Sequence, residues 1–161
     1  MRFAFAVGLP LLIAATPCRA PAQSALALEF GSVSAFSAAT TQVGFRASPG
    51  RGERTGVDFA AATFPAALGE GFFLGMFDVD VTYGLSVDAQ LLLFPRAGAS
   101  FLFAVGDGGS GGGFGYNIGG GALLHISPSV GVRIDYTHRR FLGSSESLPV
   151  ASISVGIVFI Q

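Results

Sequence analysis

Two carboxylates, a histidine with a serine, and a run of arginines are the residues of this chain that could do chemistry. Asp78 and Asp80 stand two positions apart, and so do His125 and Ser127. On a β-strand that spacing puts both side chains on one face, as a nucleophile and its base require. Thr137-His138-Arg139-Arg140 is the most charged stretch, and arginine's planar fork grips carboxylate or phosphate with two parallel hydrogen bonds. No histidine lies near Asp78 and Asp80 in sequence, so pairing with arginine is their expected use, ahead of metal or acid–base chemistry. Residues 108–113, glycines with one serine, do not sit between a strand and a helix as a phosphate loop would. They are expected to form a flexible tip. No spacing suggests a nucleotide, haem or metal site, so no cofactor is expected.

The elements that must position these residues read as strands. From Val130 to Tyr136 the even positions are Val130, Val132, Ile134 and Tyr136, while Arg133, Asp135, Thr137 and Arg139 hold the odd ones. Phe77, Val79, Val81 and Tyr83 alternate with Asp78, Asp80 and Thr82, and Ala151 to Phe159 alternate with Ser152, Ser154 and Gly156. Such alternation marks a two-faced strand, and scattered glycines would penalise a helix. Eight strands are predicted, near 25–36, 40–48, 56–64, 72–83, 89–106, 114–126, 129–141 and 150–160. The first loses its phase after Gly31, and the overlong fifth carries Pro95-Arg96, where a bulge or kink is expected. Connections near 37–39, 65–71, 107–113 and 142–149 would share one end, and turns near 49–54, 84–88 and 127–128 the other.

Residues 1–22 have the parts of a secretory signal peptide: Arg2, an apolar run too short to span a bilayer, and Ala20-Pro21-Ala22 as a cleavage site. Pro10 and Pro17 argue against a buried helix there. The single cysteine, Cys18, lies inside this segment, and Pro17 precedes it where a lipoprotein signal needs a small residue. A chain processed after Ala22 has no disulfide, zinc-thiolate site or cysteine nucleophile. Residues 23–161 suffice for one domain.

The composition is 50% hydrophobic and only 12% charged, with 24 glycines and 16 phenylalanines, and the mean hydropathy is +0.60. Soluble domains average about 25% charged residues. A membrane-like composition without a second long apolar run leaves a closed β-barrel as the spanning solution. The expected fold is all-β, an antiparallel up-and-down transmembrane barrel of eight strands. The net charge of -1 gives no reason to expect nucleic acid. Tyr83, Tyr136, Phe141 and Phe159 lie near strand ends, where interfacial aromatic girdles belong.

Alternation assigns Glu29, Asp58, Asp78, Asp80 and Asp135 to the same face as Arg46, Arg96, Arg133 and Arg139. In the narrow lumen of an eight-stranded barrel, unpaired charges are costly and arginine–carboxylate pairs satisfy both partners. A closed plug of ion pairs is therefore expected ahead of an open pore. His138 and Arg140 would reach the rim, where they could meet lipopolysaccharide phosphates.

Signal segment, eight alternating strands and C-terminal strand together resemble the small outer-membrane barrels of the OmpA transmembrane-domain type. The last eight residues, from Ser154 to Gln161, are similar to the C-terminal assembly signal of that class. Ser154, Gly156 and Phe159 match it, and Gln161 stands where the final aromatic is usual. The resemblance implies a Gram-negative outer-membrane protein inserted by the barrel assembly machinery, with lipid and lipopolysaccharide as its surroundings. His125-Ile126-Ser127 also resembles the His-x-Ser pair of barrel enzymes that deacylate lipid A. Pro128 follows where that family has asparagine, and the phase of His125 points to the lumen. A structural or surface-interaction barrel without enzymatic activity is the expected function. A lipid A deacylase-like enzyme and a small pore are the alternatives.

Overall fold

Alternation of period two becomes a single antiparallel sheet that closes on itself. The structure, a computed structural model, describes residues 24–35, 38–49, 54–69, 71–142 and 147–161. The expected signal segment, 1–22, lies outside the described residues. The long strands are β1 (Ala25–Ala35), β2 (Ala38–Ser48), β3 (Thr55–Thr63), β4 (Phe72–Tyr83), β6 (Leu91–Gly106), β7 (Gly109–Ser127), β8 (Val130–Phe141) and β9 (Leu148–Ile160). Between β4 and β6 lies the two-residue β5 (Leu85–Ser86). The strand order is β4-β3-β2-β1-β9-β8-β7-β6-β5, and pairing of β4 with β6 closes the ring. Eight long strands therefore form an up-and-down barrel, with β5 as a short extension of one wall. Closure removes the unpaired edges that an open sheet would expose. Among the described residues no helix is long and apolar enough to cross a membrane.

The first described residue, Ser24, and Gln161 lie together at one end, the termini end, where Ala25 pairs with Ile160. The opposite, far end carries the β6–β7 hairpin and a short helix, α1 (Pro65–Gly69), in the connection expected as a plain loop. Several other expectations are corrected. The glycine run is strand, not a flexible tip: Ser110, Gly111, Gly112 and Gly113 pair with Val105, Ala104, Phe103 and Leu102. Only Asp107 and Gly108 remain as the turn, and Gly109, at φ 124°, takes a conformation that favours glycine. Leu148 and Pro149 belong to β9, while residues 143–146 lie outside the described residues.

No bulge occurs at Pro95. The β6–β7 register runs unbroken from Leu91↔Leu124 to Gly106↔Gly109. On its other side, β4 pairing stops at Arg96 and β5 pairing resumes at Leu93, so Pro95 falls where no ladder needs its missing donor. The register shift lies instead between His125 and Ser127. The first strand keeps its phase to the end, with Ser32 and Ser34 outward and Val33 buried. Its sequence looks blurred only because polarity reverses on both faces near the far end.

Candidate functional site: a layered, closed lumen

Inward positions on every long strand converge on one interior. Glu29, Arg46, Asp58, Asp78, Asp80, Arg96, Arg133, Asp135 and Arg139 are all buried there. Arg46 donates from Nε to Glu29 at 2.7 Å and from Nη1 to Asp80 at 3.1 Å, and passes 3.9 Å from Asp58. Arg133 embraces Asp135 through Nε at 2.6 Å and Nη2 at 3.0 Å. The same Nη2 reaches Asp58 at 2.9 Å. Asp58 is on β3 and Arg133 on β8, which face each other across the ring, so this bond spans the lumen. Arg96 Nη1 lies 2.8 Å from Asp135 and 3.9 Å from Asp80, and Nη2 donates to Thr137 Oγ1. Arg139 grips Asp78 through Nε and Nη2, the latter at 2.6 Å, and donates to Ser152 at 2.6 Å.

Small polar residues complete the layer. Ser48 donates to Asp58 at 2.7 Å and Ser100 to Asp78 at 2.6 Å, while Asn117 donates to Ser100 at 3.0 Å. Five carboxylates face four guanidiniums. Among the described residues, Asp80 Oδ1, Asn117 Oδ1, Gln42 Oε1 and Arg96 Nε have no hydrogen-bond partner, and Arg96 Nη1 meets Asp135 as an ion pair without hydrogen-bond geometry. The surplus carboxylate and these orphan atoms make Asp80 the least satisfied acid of the layer.

Two apolar layers lie above and below the charges, and the sequence reading missed both. At the far end Val33, Phe64, Ala67, Met76, Phe141 and Val150 form one cluster, with Leu74, Leu102 and Leu148 packed against it. At the termini end Ala27, Phe94, Leu123, Val158 and Ile160 form the other. Phe94 joins this layer to the ions, since the Arg133 guanidinium lies 4.2 Å above its ring centroid. Gly121 leaves room beneath that ring, because a Cβ there would lie 2.7 Å from Phe94 Cζ. The signal was present in the chain: Met76 shares phase with Asp78, Phe94 with Arg96, and Phe141 with Arg139. Phe141, expected in an outward girdle, thus points inward, whereas Tyr83, Tyr136 and Phe159 face out.

The outer face is apolar over the barrel's middle, with Leu28, Phe30, Phe45, Val81, Ile118, Ile134, Ile153 and Ile157 all exposed. His138 and Arg140 lie on this face, not in the lumen, and Arg140 donates to Ser147 at 2.8 Å. His125 and Ser127 are separated by the register shift. Ser127 Oγ accepts from the backbone of Ser129 and Val130, which caps the turn, and His125 Nδ1 lies 3.1 Å from the Gln90 carbonyl. Among the described residues no group of three His, Cys, Asp or Glu is placed to hold a metal ion.

No family model and no curated protein matches the chain. Solved structures do match, among them outer-membrane barrels and designed transmembrane barrels. Neisserial surface protein A superposes with a TM-score of 0.66 at 14% identity, over 85% of this chain and 95% of that one. Ail, the attachment invasion locus protein of Yersinia pestis, gives 0.56 at 12% identity, over 88% and 100%. A structure from a de novo design of transmembrane β-barrels gives 0.62 at 16% identity, over 89% and 98%. The chain therefore has the eight-stranded fold of small outer-membrane barrels. Likeness to a designed chain underlines that this is agreement in architecture.

Proposed function

We propose that this protein is an integral barrel of the bacterial outer membrane with a closed lumen and a structural or surface-interaction role. The observation that carries the reading is the layered interior. Ion pairs tie opposite walls together, apolar clusters cover them at both ends, and the outer wall is apolar where a lipid bilayer would touch it. A water-soluble barrel would bury its apolar face and expose its charges, and here that order is inverted. The far end faces outward in this reading, and the termini face the periplasm. Outer-membrane lipid, lipopolysaccharide at His138 and Arg140, and the barrel assembly machinery are its proposed partners. No catalytic role is assigned to His125 or Ser127, because Ser127 is engaged in the turn.

Planar-bilayer recording tests the closed lumen. Purified wild-type protein, shown to be folded by heat-modifiable gel mobility, is expected to give no steady conductance. Large, ion-selective currents would replace the plug with a pore. N-terminal sequencing of protein from outer-membrane fractions should begin near Gln23, and recovery of unprocessed chain from the cytoplasm would remove the compartment from the reading.

A further inference from the structure

The charged layer of the lumen does not balance. Glu29, Asp58, Asp78, Asp80 and Asp135 meet Arg46, Arg96, Arg133 and Arg139, which leaves one negative charge over if every acid is ionised. Apolar clusters close the layer off at both ends. An uncompensated charge held there, away from water, is costly. One more positive charge is therefore needed in the layer, and the bonding pattern shows where it is missing.

Four of the acids are well supplied with donors. Asp78 takes Arg139 on two nitrogens together with Ser100. Asp135 takes Arg133 on two nitrogens, with Arg96 Nη1 2.8 Å away. Asp58 takes Ser48 and Arg133, and Glu29 takes Arg46 Nε. Asp80 receives Arg46 Nη1 on Oδ2 at 3.1 Å, and Arg96 Nη1 stands off at 3.9 Å. Among the described residues, its Oδ1 is the one carboxylate oxygen of the layer that is buried without a hydrogen bond.

The ladder accounts for this. Asp58, Asp80, Gly98, Asn117 and Arg139 stand opposite one another in turn on β3, β4, β6, β7 and β8. Asp58 and Asp80 are thus direct cross-strand neighbours, a placement that two ionised carboxylates resist. On its other side Asp80 leans over a residue without a side chain, since Oδ1 lies 2.6 Å from the point a Cβ on Gly98 would occupy. Asn117 leans over β6 from the opposite flank. Its Nδ2 donates to Ser100 Oγ at 3.0 Å, and its Oδ1 is buried with no donor. Two bare acceptors therefore flank Gly98, and one hydrogen between them would serve both.

We propose that the folded lumen binds one proton at this point. Asp80 is a neutral carboxylic acid whose Oδ1–H donates to Asn117 Oδ1, while Oδ2 keeps its bond from Arg46. Four guanidiniums then face four carboxylates, and the proton stands in for a fifth cation. The ionic groups around Asp80 are Arg46 from β2, Asp58 from β3, Asp78 on β4 itself, Arg96 from β6 and, behind Arg96, Asp135 from β8. No histidine is among them. Folding is thereby coupled to uptake of a single proton. The inference goes beyond the proposed function and rests on the lumen alone.

The test is equilibrium unfolding of the full protein from phosphatidylcholine vesicles, with wild type and Asp80→Asn measured in parallel. Above about pH 4 an aspartate of the unfolded chain has released its proton, so a folded chain that keeps one loses stability as pH rises. The ratio of the wild-type to the Asp80→Asn folding constant should fall about tenfold per pH unit from about pH 5 to 7. In a Glu29→Gln background, where four acids already match four arginines, the same comparison should be flat. Asp58→Asn gives a second such background if Glu29→Gln does not fold, and a slope that persisted in either would refute charge balance as its cause. Carboxyl-carbon chemical shifts at neutral pH locate the proton: the acid form is expected at Asp80, and carboxylates at Asp58, Asp78 and Asp135. A ratio independent of pH would overturn the proposal. So would an acid form at another aspartate, or a ratio that followed sodium concentration in place of pH, which would put an alkali cation beside Gly98.

Discussion

The middle of the lumen is guanidinium and carboxylate; its two ends are phenylalanine, valine, leucine and methionine. Both regions are built from the same inward-facing phase of the same strands. Arg139 and Phe141 are two residues apart on β8, yet one belongs to the charged layer and the other to a cap. The difference teaches how a narrow barrel keeps ions inside. Buried charges need partners, and pairing strengthens as water is excluded. The apolar layers supply that exclusion, so the caps and the ion layer depend on one another although they share no chemistry.

Breaking the charged layer should have the largest effect. Arg133 holds Asp135 and Asp58 and covers Phe94, so Arg133→Ala should cost about 3–5 kcal/mol by removing the two-point partner of Asp135 and the cross-lumen partner of Asp58. Equilibrium unfolding from vesicles measures it. Adding Asp135→Asn should recover part of the loss, and a double variant no better than the single one would refute pairing as the cause. The outer face sharpens the contrast next. Ile134, in the middle of β8 and outward, should cost about 2–4 kcal/mol when replaced by arginine if it lies near the bilayer midplane. Ile134→Ser should be milder. A spin label at position 134 that reports water, with one at 133 reporting lipid, would reverse the assigned faces.

The smallest effect is expected within the charged layer itself. Asp80 is its least satisfied acid, in a layer with one carboxylate more than it has guanidiniums. Asp80→Asn keeps an acceptor for Arg46 and should cost less than about 1 kcal/mol. Asp58→Asn, which weakens the bond across the lumen to Arg133, should cost several-fold more in the same unfolding assay. Equal losses would mean that the layer responds to total charge and not to particular pairs.

Much of this architecture was legible because a strand writes its two faces directly into the chain. The inward set from Arg46 to Arg139 followed from alternation alone, as did the outward set around Ile134. The failures are local and physical. The glycine run at 109–113 looked like a loop because glycine has no side chain to show a phase, and only pairing with β6 made it strand. Pro95 looked like a break because its missing donor is a defect wherever a ladder needs it; the gap between β4 and β5 removes that need. Phe141 was misread because aromatic residues near strand ends were assumed to form an outward girdle.

What the sequence determined by itself, then, is which side chains share a face, how many long strands there are, and that the outside is apolar. Those are properties of nearest neighbours along the chain. Which arginine meets which acid was decided only by closure. Asp58 and Arg133 are 75 residues apart and bond across the ring, while Arg46 chose Glu29 and Asp80 on the strands to either side of β2 and β3. Every arginine in the set has the same fork and every aspartate the same two oxygens, so composition cannot rank the pairs. The register of eight strands fixes each side chain's height and direction in the lumen, and that placement makes the selection.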